Sequence, residues 1–522
     1  MRFRLAAAFL IAVGAGRLGA QGERVVDILI QGGTLVDGTG GPAKRADVGI
    51  RGDRIVFVGD GRIGVMAAGR IIDATGLIVS PGFIDPHTHT DGDLSGAGTK
   101  ANLPYLLQGV TTVVTHNDGS SSLDLAAEYR AWTTNGIGTN VATYVGQGSI
   151  RGRVVGNRDI PATAAQIEQM KALVSKAMDD GAIGMSTGLF YTPGSYATTE
   201  EVIELAKVAA AKGGIYDTHM RDESSYTIGL IGSINETLRI AREAKIPVHI
   251  SHIKALGVDV WGQSDSVITL INRARAQGLD VTANQYPYTA SGTALGASLL
   301  PQWAQSGGSD STRAIAANPA SRERLVREMT DNLRRRGGPA SLLLIGGDSS
   351  VRGKTLDQIA KERKQDPVQA GLDLILRGGG GSVASFNMSE ADIEKFMLQP
   401  WVSTGSDGSS GHPRKYGTFT RKIHEYGFMR GLMTLPALVE SSSSRAAKAM
   451  HFVDRGEIAV GKFADVIVFD ERTIADHATY LNPREYSTGM RWVLVNGKIA
   501  VDDGKPVPGA LAGRVLKGPA AK

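Results

Sequence analysis

The sequence predicts an α/β protein in which a (β/α)8 TIM-like barrel is joined to a small β-sandwich built from both chain termini. Two observations lead to this prediction. Short apolar runs of strand type alternate with helical segments through the middle of the chain, and segments rich in short strands occur at both ends. A length of 522 residues fits one large domain with an accessory domain.

Residues 1–20 have the composition of a secretory signal peptide. Arg2 and Arg4 precede the apolar run Leu5–Val13, and Ala20 supplies a small residue at the expected cleavage point. The apolar run is too short to cross a bilayer. We therefore expect a periplasmic or secreted protein without a membrane span in its mature chain.

Charge and cysteine content narrow the function classes. Loss of the three arginines in the signal segment lowers the formal net charge from +5 to +2, so composition gives no support to nucleic-acid binding. The chain has no cysteine. This excludes disulfides, a thiolate nucleophile and thiolate metal ligands.

Residues 21–80 and 455–522 are predicted to form the β-sandwich. The strand-type runs at the two ends are Val26–Ile30, Ala46–Ile50, Arg54–Val58, Ile71–Asp73, Ala464–Phe469 and Trp492–Gly497. Glycine-rich turns separate those of the N-terminal part. Because the two ends resemble each other, we expect them to pair into one small domain.

Residues 81–454 are predicted to form the barrel. Its strand-type runs are Ile78–Asp85, Val110–Val114, Thr139–Tyr144, Ala182–Met185, Gly214–Tyr216, Pro247–Ile250, Leu279–Thr282 and Trp401–Ser403. Most follow helical segments such as Glu200–Ala211, and eight strands are the number that closes a parallel barrel. A doubly wound open sheet is the alternative, but no G-x-G-x-x-G turn follows an early strand.

An insertion is predicted at about residues 291–400, where the chain runs longer than one strand-helix unit. It contains the further strand-type runs Ser341–Ile345 and Ser382–Phe386. An insertion on a strand-to-helix connection lies above the catalytic face of a barrel. We therefore predict a lid or a substrate-binding subdomain.

His87 and His89 directly follow the first predicted barrel strand, within the stretch Pro81–Asp91. Strand residues two positions apart point to the same side, so the two imidazoles can face one metal ion. The alternatives are a chance pair and a pair that makes ordinary hydrogen bonds.

Three further candidate ligands stand at the ends of other predicted strands. His219 follows the fifth strand, His252 follows the sixth, and Asp407 ends the eighth. In a barrel, all three lie at the same rim as the His87 and His89 pair. Each alone is more often an ordinary rim residue, but together the five residues favour a metal site.

These features together resemble the amidohydrolase superfamily. The set P-G-F-I-D-x-H-x-H, the two single histidines and the terminal aspartate carry the resemblance. Within the superfamily the chain is similar to the N-acyl-D-amino-acid deacylases. The segments concerned are Gln108–Val113, Gly181–Tyr191, Thr218–Glu223, Ser251–Lys254, Tyr286–Tyr288, Gly405–Gly408 and His412–Arg414. The resemblance implies a hydrolase that holds zinc, as one or two divalent ions.

The turn His116–Gly119 departs from the deacylase pattern. The family normally places a cysteine ligand there, where this chain has Asp118. A carboxylate also binds zinc, and the strand-four segment Gly181–Leu189 contains no lysine for a carboxylated bridge between two ions. We therefore predict Asp118 as a bridging ligand. A turn-forming aspartate is the alternative, and His116 is a weaker candidate ligand.

The resemblance also implies how the ligands divide. Asp118, His219 and His252 would hold one metal, and His87, His89 and Asp407 would form a second or weaker site. Asp407 would be the catalytic general base, which accepts a proton from water and passes it to the leaving amine.

Lys254 and Tyr288 are implied as ligands of the substrate α-carboxylate. The alternatives are an exposed rim lysine and a packing aromatic ring. Arg414 would organise the loop after Asp407. Gln147 stands where relatives carry a histidine that polarises the scissile carbonyl, and glutamine still donates a hydrogen bond there, without positive charge.

The sequence thus predicts an exported, metal-dependent amidohydrolase that cleaves N-acyl-D-amino acids, or related amides with a free carboxylate, to a carboxylate and an amino acid. Its expected partner is a small-molecule substrate with a free carboxylate, and the sequence carries no signal for an oligomeric state. A dipeptidase or a cyclic-amide hydrolase on the same scaffold is one alternative. A non-catalytic binding or scaffold protein is an alternative of another class.

Overall fold

The structure is a computed structural model that describes residues 24–378 and 380–522. The predicted signal peptide, residues 1–20, lies outside the described residues. The described chain has the α/β class that the sequence predicted, with parallel strands and flanking helices in the middle and antiparallel pairs near the ends. None of the described helices is long and apolar enough to cross a membrane.

Each of the eight runs predicted as barrel strands contains or overlaps a strand. The barrel strands are Phe83–Asp85, Val110–Thr115, Asn140–Thr143 continued by Val145–Gly146, Gly184–Gly188, Ile215–His219, Val248–Ile250, Val281–Gln285 and Val402–Thr404. Neighbours in the chain pair in parallel. Just past the first and last strands, a parallel bridge joins Thr88 to Gly408, and the Asp407 N–H donates to the His87 carbonyl at 2.9 Å. The ends of these two strands are therefore neighbours at the rim that carries the candidate ligands.

The helices begin and end where local signals favour it. For example, Ala164–Asp180 starts at a capping box formed by Thr163 and Gln166, and it buries Met170 and Val174 against the barrel. The α-helices are Gly61–Gly64, Asp91–Ser95, Leu103–Leu106, Leu125–Asn135, Gln147–Val154, Ala164–Asp180, Thr199–Ala211, Gly229–Ala244, Ser264–Ala276, Leu295–Leu299, Ser309–Ala317, Pro319–Arg335, Leu356–Arg363, Pro367–Leu376, Glu390–Met397, Arg414–Arg421, Leu435–Ser442 and Ser444–Ala449. Shorter helical turns are Gly194–Tyr196, Gln302–Gln305 and Pro339–Ser341 of 3-10 type and Lys422–Met429 of π type.

Two sheets form the β-sandwich and share one apolar core. The first contains, in spatial order, Arg54–Gly59, Asp47–Arg51, Arg24–Gln31 and Val65–Asp73. The second contains Lys505–Pro506, Lys498–Asp502, Met490–Val495, Val466–Phe469, Ile78–Pro81, Thr34–Leu35 and Lys44–Arg45. In the second sheet Val466 lies opposite Pro81, so the two chain ends pair as the sequence predicted.

The prediction of one continuous strand over Ile78–Asp85 is wrong. Ile78–Pro81 belongs to the sandwich and Phe83–Asp85 to the barrel, with Gly82 between them. A Cβ atom at Gly82 would lie 2.2 Å from the Thr111 hydroxyl oxygen, so only glycine allows the chain to pass so close. A continuous apolar run does not reveal which of two sheets each half joins.

The insertion forms a unit with its own core. Its strands Ala290–Ala294, Ser382–Phe386 and Leu342–Leu344 make an antiparallel sheet in that order. The last two were predicted, and the first was not. Its helices bury a separate apolar cluster that includes Leu299 and Met329. The insertion therefore presents a preformed surface to the barrel rim.

Candidate metal centre

The six candidate ligands lie together at the carboxyl end of the barrel strands. They fall into two groups, and within each group the possible ligand atoms lie within 4.8 Å of one another. One group contains His87, His89, Asp118 and Asp407, and the other contains Asp118, His219 and His252. Asp118 is the member that the two groups share.

The first group places two imidazoles against two carboxylates. His89 Nε2 lies 3.1 Å from Asp407 Oδ1 and 3.5 Å from Asp118 Oδ2. His87 Nε2 lies 3.5 Å from Asp118 Oδ1 and 3.7 Å from Asp407 Oδ1. Both histidines therefore direct Nε2 to the same space between the carboxylates.

The second group surrounds the other side of the Asp118 carboxylate. His219 Nδ1 lies 2.9 Å from His252 Nε2. These two nitrogens lie 3.7 and 3.5 Å from Asp118 Oδ1. The carboxylate thus faces three histidines with Oδ1 and His89 with Oδ2, an arrangement suited to a ligand shared by two ions.

The donor set and its unpaired atoms fit a metal site. Both ring nitrogens of His87 and Oδ1 of Asp118 are buried and have no hydrogen-bond partner among the described residues. Buried polar atoms are nearly always paired, so these atoms call for a ligand that a bound cation would supply. Histidine nitrogen and aspartate oxygen are ligands that zinc accepts.

Electrostatics also favour a cation at this position. Burial opposes ionisation of Asp118, but the rings of His87, His219 and His252 more than offset it and hold its pKa well below the usual range. The pKa of Asp407 is lowered in the same way, since Arg414 and His252 outweigh the effect of burial. Both carboxylates are therefore ionised, as metal ligands must be.

The backbone at three candidate ligands adopts the left-handed conformation. The φ angles are 57° at Asp118, 33° at His252 and 48° at Asp407. Residues other than glycine rarely adopt such angles, and in folded proteins they cluster at functional sites. Next to Asp118, Gly119 has φ of 74°, and a Cβ there would lie 2.7 Å from the Gly188 nitrogen. The turn is thus fixed against the fourth barrel strand.

Asp85 joins the ends of the first and last barrel strands, next to the six candidate ligands, which are called the cluster below. The sequence did not reveal this role. Its Oδ1 accepts hydrogen bonds from the His87 N–H at 3.2 Å and the Ser406 N–H at 3.0 Å. Burial raises the pKa of this carboxyl to about 7. Asp85 therefore positions the backbone on both sides of the cluster.

Glu223 supports both single histidines, and its role was also missed. One oxygen lies 3.2 Å from His252 Nδ1, and the other lies 3.6 Å from His219 Nε2, in each case the ring nitrogen remote from Asp118. Burial opposes ionisation of Glu223, but Lys254 and the two imidazoles lower its pKa overall. Outer carboxylates of this kind orient metal-binding histidines. Its position four residues after His219 in Thr218–Glu223 was a usable signal.

We expect Glu223→Gln to weaken zinc affinity at the His219 and His252 group by about 10- to 100-fold, as loss of an outer carboxylate does in other metal sites. Competition with a chelating dye measures this affinity, and excess zinc should partly restore activity. Glu236→Gln is the matched control, because Glu236 is also largely buried but pairs with Arg221. Equal zinc affinity in both variants and the parent would contradict a positioning role for Glu223.

Two cavities adjoin the cluster. The inner cavity has a volume of about 30 Å³, and its lining includes His219, His252, Lys254, Tyr286, Arg336 and Asp407. The outer cavity has a volume of about 520 Å³, and its lining includes His89, Asp118, Ser149, Ser382, Asp407 and Arg414. The insertion contributes walls to both cavities through residues such as Arg336 and Ser382.

Lys254 lies at the inner cavity and is only 4% exposed, which excludes an exposed rim lysine. Its Nζ lies 2.7 Å from Glu223 Oε1 and 2.7 Å from His252 Nδ1. Lys254 is thus next to the candidate metal centre.

Tyr288 lines neither of these two cavities, so its predicted role in substrate binding stays a prediction. Its ring packs edge-on to His412 at 5.6 Å and lies 5.1 Å from the Arg421 guanidinium. Tyr286 lines the inner cavity. The centre of its ring lies 4.8 Å from the Arg414 guanidinium and 5.8 Å from Lys254 Nζ. A Tyr-Pro-Tyr pattern does not show which of its two rings faces the cavity.

His116, Gln147 and Arg414 make contacts outside the two ligand groups or beside them. His116 Nε2 faces Glu128 at 3.5 Å, so this histidine is not in either ligand group. Gln147 Nε2 donates to Glu201 at 3.2 Å, and Gln147 lines neither cavity. Arg414 Nη1 pairs with Asp407 Oδ2 at 2.8 Å, which fits the predicted organising role beside Asp407.

The chain is similar to several known proteins. Residues 70–397 and 391–501 match the profile of the amidohydrolase family. A D-aminoacylase of Alcaligenes xylosoxydans xylosoxydans is 35% identical over 95% of this chain and 98% of its own. A D-aminoacylase structure from work on its binuclear metal centre has a TM-score of 0.80 and 34% identity, over 94% of this chain and all of the other. The N-acyl-D-glutamate deacylase of Bordetella bronchiseptica, solved with zinc and a phosphonate mimic of the tetrahedral intermediate, has a TM-score of 0.81. It is 30% identical over 95% of this chain and all of its own.

Proposed function

Because this chain belongs to the amidohydrolase family, we propose that it is a metal-dependent deacylase that hydrolyses the amide bond of N-acyl-D-amino acids or of related amides with a free carboxylate. One observation carries the proposal. The Asp118 carboxylate lies between two groups of histidines, and both groups open to cavities that also contain cationic side chains. The named activities of the similar proteins support substrates of D configuration.

The candidate ligands would hold zinc as one or two ions, with Asp118 shared between the groups. Zinc bound there supplies a Lewis acid that polarises the amide carbonyl and lowers the pKa of a water molecule. Asp407 accepts the proton of the attacking water and returns it to the leaving nitrogen, because an amine anion is a poor leaving group. Its ion pair with Arg414 at 2.8 Å keeps the carboxylate oriented during both transfers.

Cationic groups beside the cluster would bind the α-carboxylate of the substrate. Lys254 Nζ and the Arg414 guanidinium lie 5.8 and 4.8 Å from the centre of the Tyr286 ring. Lys254 is also 2.7 Å from His252, so a carboxylate bound here is close to the reacting amide. A substrate that is held both by its α-carboxylate and by its amide at the metal site presents its scissile bond in one orientation.

The test compares substrates on the purified, zinc-loaded protein. We expect release of amino acid from N-acetyl-D-leucine at least about 100-fold faster than from its L enantiomer, because a chiral site with three fixed contacts rejects the mirror image. A zinc chelator should abolish the reaction, and added zinc should restore it. Hydrolysis of L-dipeptides or of hydantoins alone would contradict the proposal and favour the alternative enzymes. A zinc-loaded protein without any turnover would favour a binding protein.

A further inference from the structure

Arg336 is a buried cation on the inner cavity that the proposed reaction does not use. It follows the insertion helix Pro319–Arg335 and is 2% exposed. Its Nε donates to the Ser298 carbonyl at 3.1 Å, whereas its Nη1 is buried without a hydrogen-bond partner in the described chain. Within residues 24–378 and 380–522, no ion pair joins Arg336 to a carboxylate. The guanidinium is therefore fixed at one nitrogen and free to bind a ligand at another.

The other strongly charged groups on the inner cavity compensate one another. Lys254 pairs with Glu223 at 2.7 Å, and Asp407 pairs with Arg414 at 2.8 Å. The Tyr226 ring lies 5.7 Å from the Arg336 guanidinium, and its side chain interacts with Arg336 but carries no formal charge. A buried cation without a counterion is unfavourable, and an anionic ligand removes this cost. The inner cavity therefore has an unmatched positive charge.

The size of the cavity fits a carboxylate. One water molecule requires about 10–15 Å³, so a volume of about 30 Å³ accommodates two or three waters or a small planar anion. A guanidinium binds such an anion through short, charge-assisted hydrogen bonds. A large aliphatic group would displace those waters and leave Nη1 unpaired, which disfavours it.

The position of Arg336 matches a side-chain carboxylate better than the α-carboxylate. The α-carboxylate is one carbon from the scissile nitrogen, and Lys254 and Arg414 are the cations in direct contact with the candidate ligands. In the described chain, no hydrogen bond or ion pair links Arg336 to a candidate ligand, and its anchor, Ser298, belongs to the insertion. A side-chain carboxylate, whose carbon is two bonds from Cα in aspartate and three in glutamate, lies further from the scissile nitrogen, as Arg336 lies away from the candidate ligands on the same cavity.

We propose that Arg336 binds an anionic side chain on the amino-acid part of the substrate, so that the protein prefers N-acyl-D-glutamate or N-acyl-D-aspartate to neutral counterparts. This inference rests on the proposed deacylase function and specifies its substrate class. Arg336 acts as a specificity residue and takes no part in the bond cleavage.

The experiment measures kcat/KM for N-acetyl-D-glutamate, N-acetyl-D-glutamine and N-acetyl-D-leucine with the zinc-loaded protein. Glutamate and glutamine have nearly the same shape, so their ratio isolates the charge. We expect the parent to favour glutamate by about 10- to 100-fold, the contribution of a hydrogen bond to a charged group. Arg336→Met should remove this preference and leave kcat/KM for the neutral substrates within about twofold.

Arg334→Met is the matched control, because Arg334 is exposed and pairs with Asp259 away from the cavity. It should leave all three values unchanged. A parent without preference for glutamate, or an Arg336→Met variant that loses all substrates equally, would overturn the proposal. If Arg336→Met does not fold, inhibition of the parent by D-glutamate and by D-glutamine decides, and equal inhibition overturns the proposal. Failure of the parent on every D substrate would instead refute the deacylase function itself.

Discussion

Replacing Asp118 with alanine is expected to remove at least one equivalent of bound zinc and to lower kcat/KM by about 1000-fold or more. The Asp118 carboxylate lies within 3.7 Å of nitrogens on four histidines, and it is the member common to both ligand groups. Without it, the second group retains two histidines, which is too few ligands to hold zinc tightly. Polarisation of the carbonyl contributes several kcal/mol to a reaction of this kind, hence the size of the loss.

Elemental analysis and kinetics on the same preparations test this expectation. Asp124→Ala is the matched control, because Asp124 is a nearby carboxylate that caps helix Leu125–Asn135 and lies outside the ligand groups. It should keep its metal and its rate, at a cost of about 1 kcal/mol in stability. Asp118→Cys should retain zinc, since a thiolate is also a zinc ligand. Unchanged metal content and rate in Asp118→Ala would reduce Asp118 to a turn residue.

The barrel was predictable because its signals are local. A short apolar run followed by a helical segment reports a strand-helix unit wherever it occurs, and parallel neighbours then bring strand ends to one rim. His219 and His252 could therefore be placed together from their positions after two successive strands. The split at Gly82 was not predictable in this way, because it depends on the close approach of Thr111 from another part of the chain.

The parts of the site that the sequence missed depend on tertiary packing. Arg336 reaches the inner cavity only because the insertion folds back over the barrel rim, and no local pattern around it indicates a binding residue. Tyr286 and Tyr288 are equivalent in the sequence and separate only when the turn between them is built. Glu223 differs from Arg336 and from the two tyrosines, since its spacing from His219 within one motif is visible in the sequence.

Replacing Asp407 with asparagine is expected to lower kcat on N-acetyl-D-leucine by about 100- to 10,000-fold, the usual contribution of general acid–base catalysis. Asparagine has nearly the same shape as aspartate, and its amide oxygen can still accept a hydrogen bond from Arg414. It cannot accept the proton of the attacking water. The ion held by Asp118, His219 and His252 should remain, because Asp407 is not in that group. Zinc content measured beside kcat therefore separates loss of proton transfer from loss of metal.

The ester analogue, in which oxygen replaces the scissile nitrogen of N-acetyl-D-leucine, distinguishes the two functions of the site. An alkoxide leaves with less need of a proton than an amine does, so the Asp407→Asn defect should be at least about tenfold smaller on the ester. The Asp118→Ala defect should be similar on ester and amide, since both need a polarised carbonyl. Equal Asp407→Asn defects on the two substrates, with zinc retained, would mean that Asp407 does not protonate the leaving group. Its carboxylate would then act only on the attacking water.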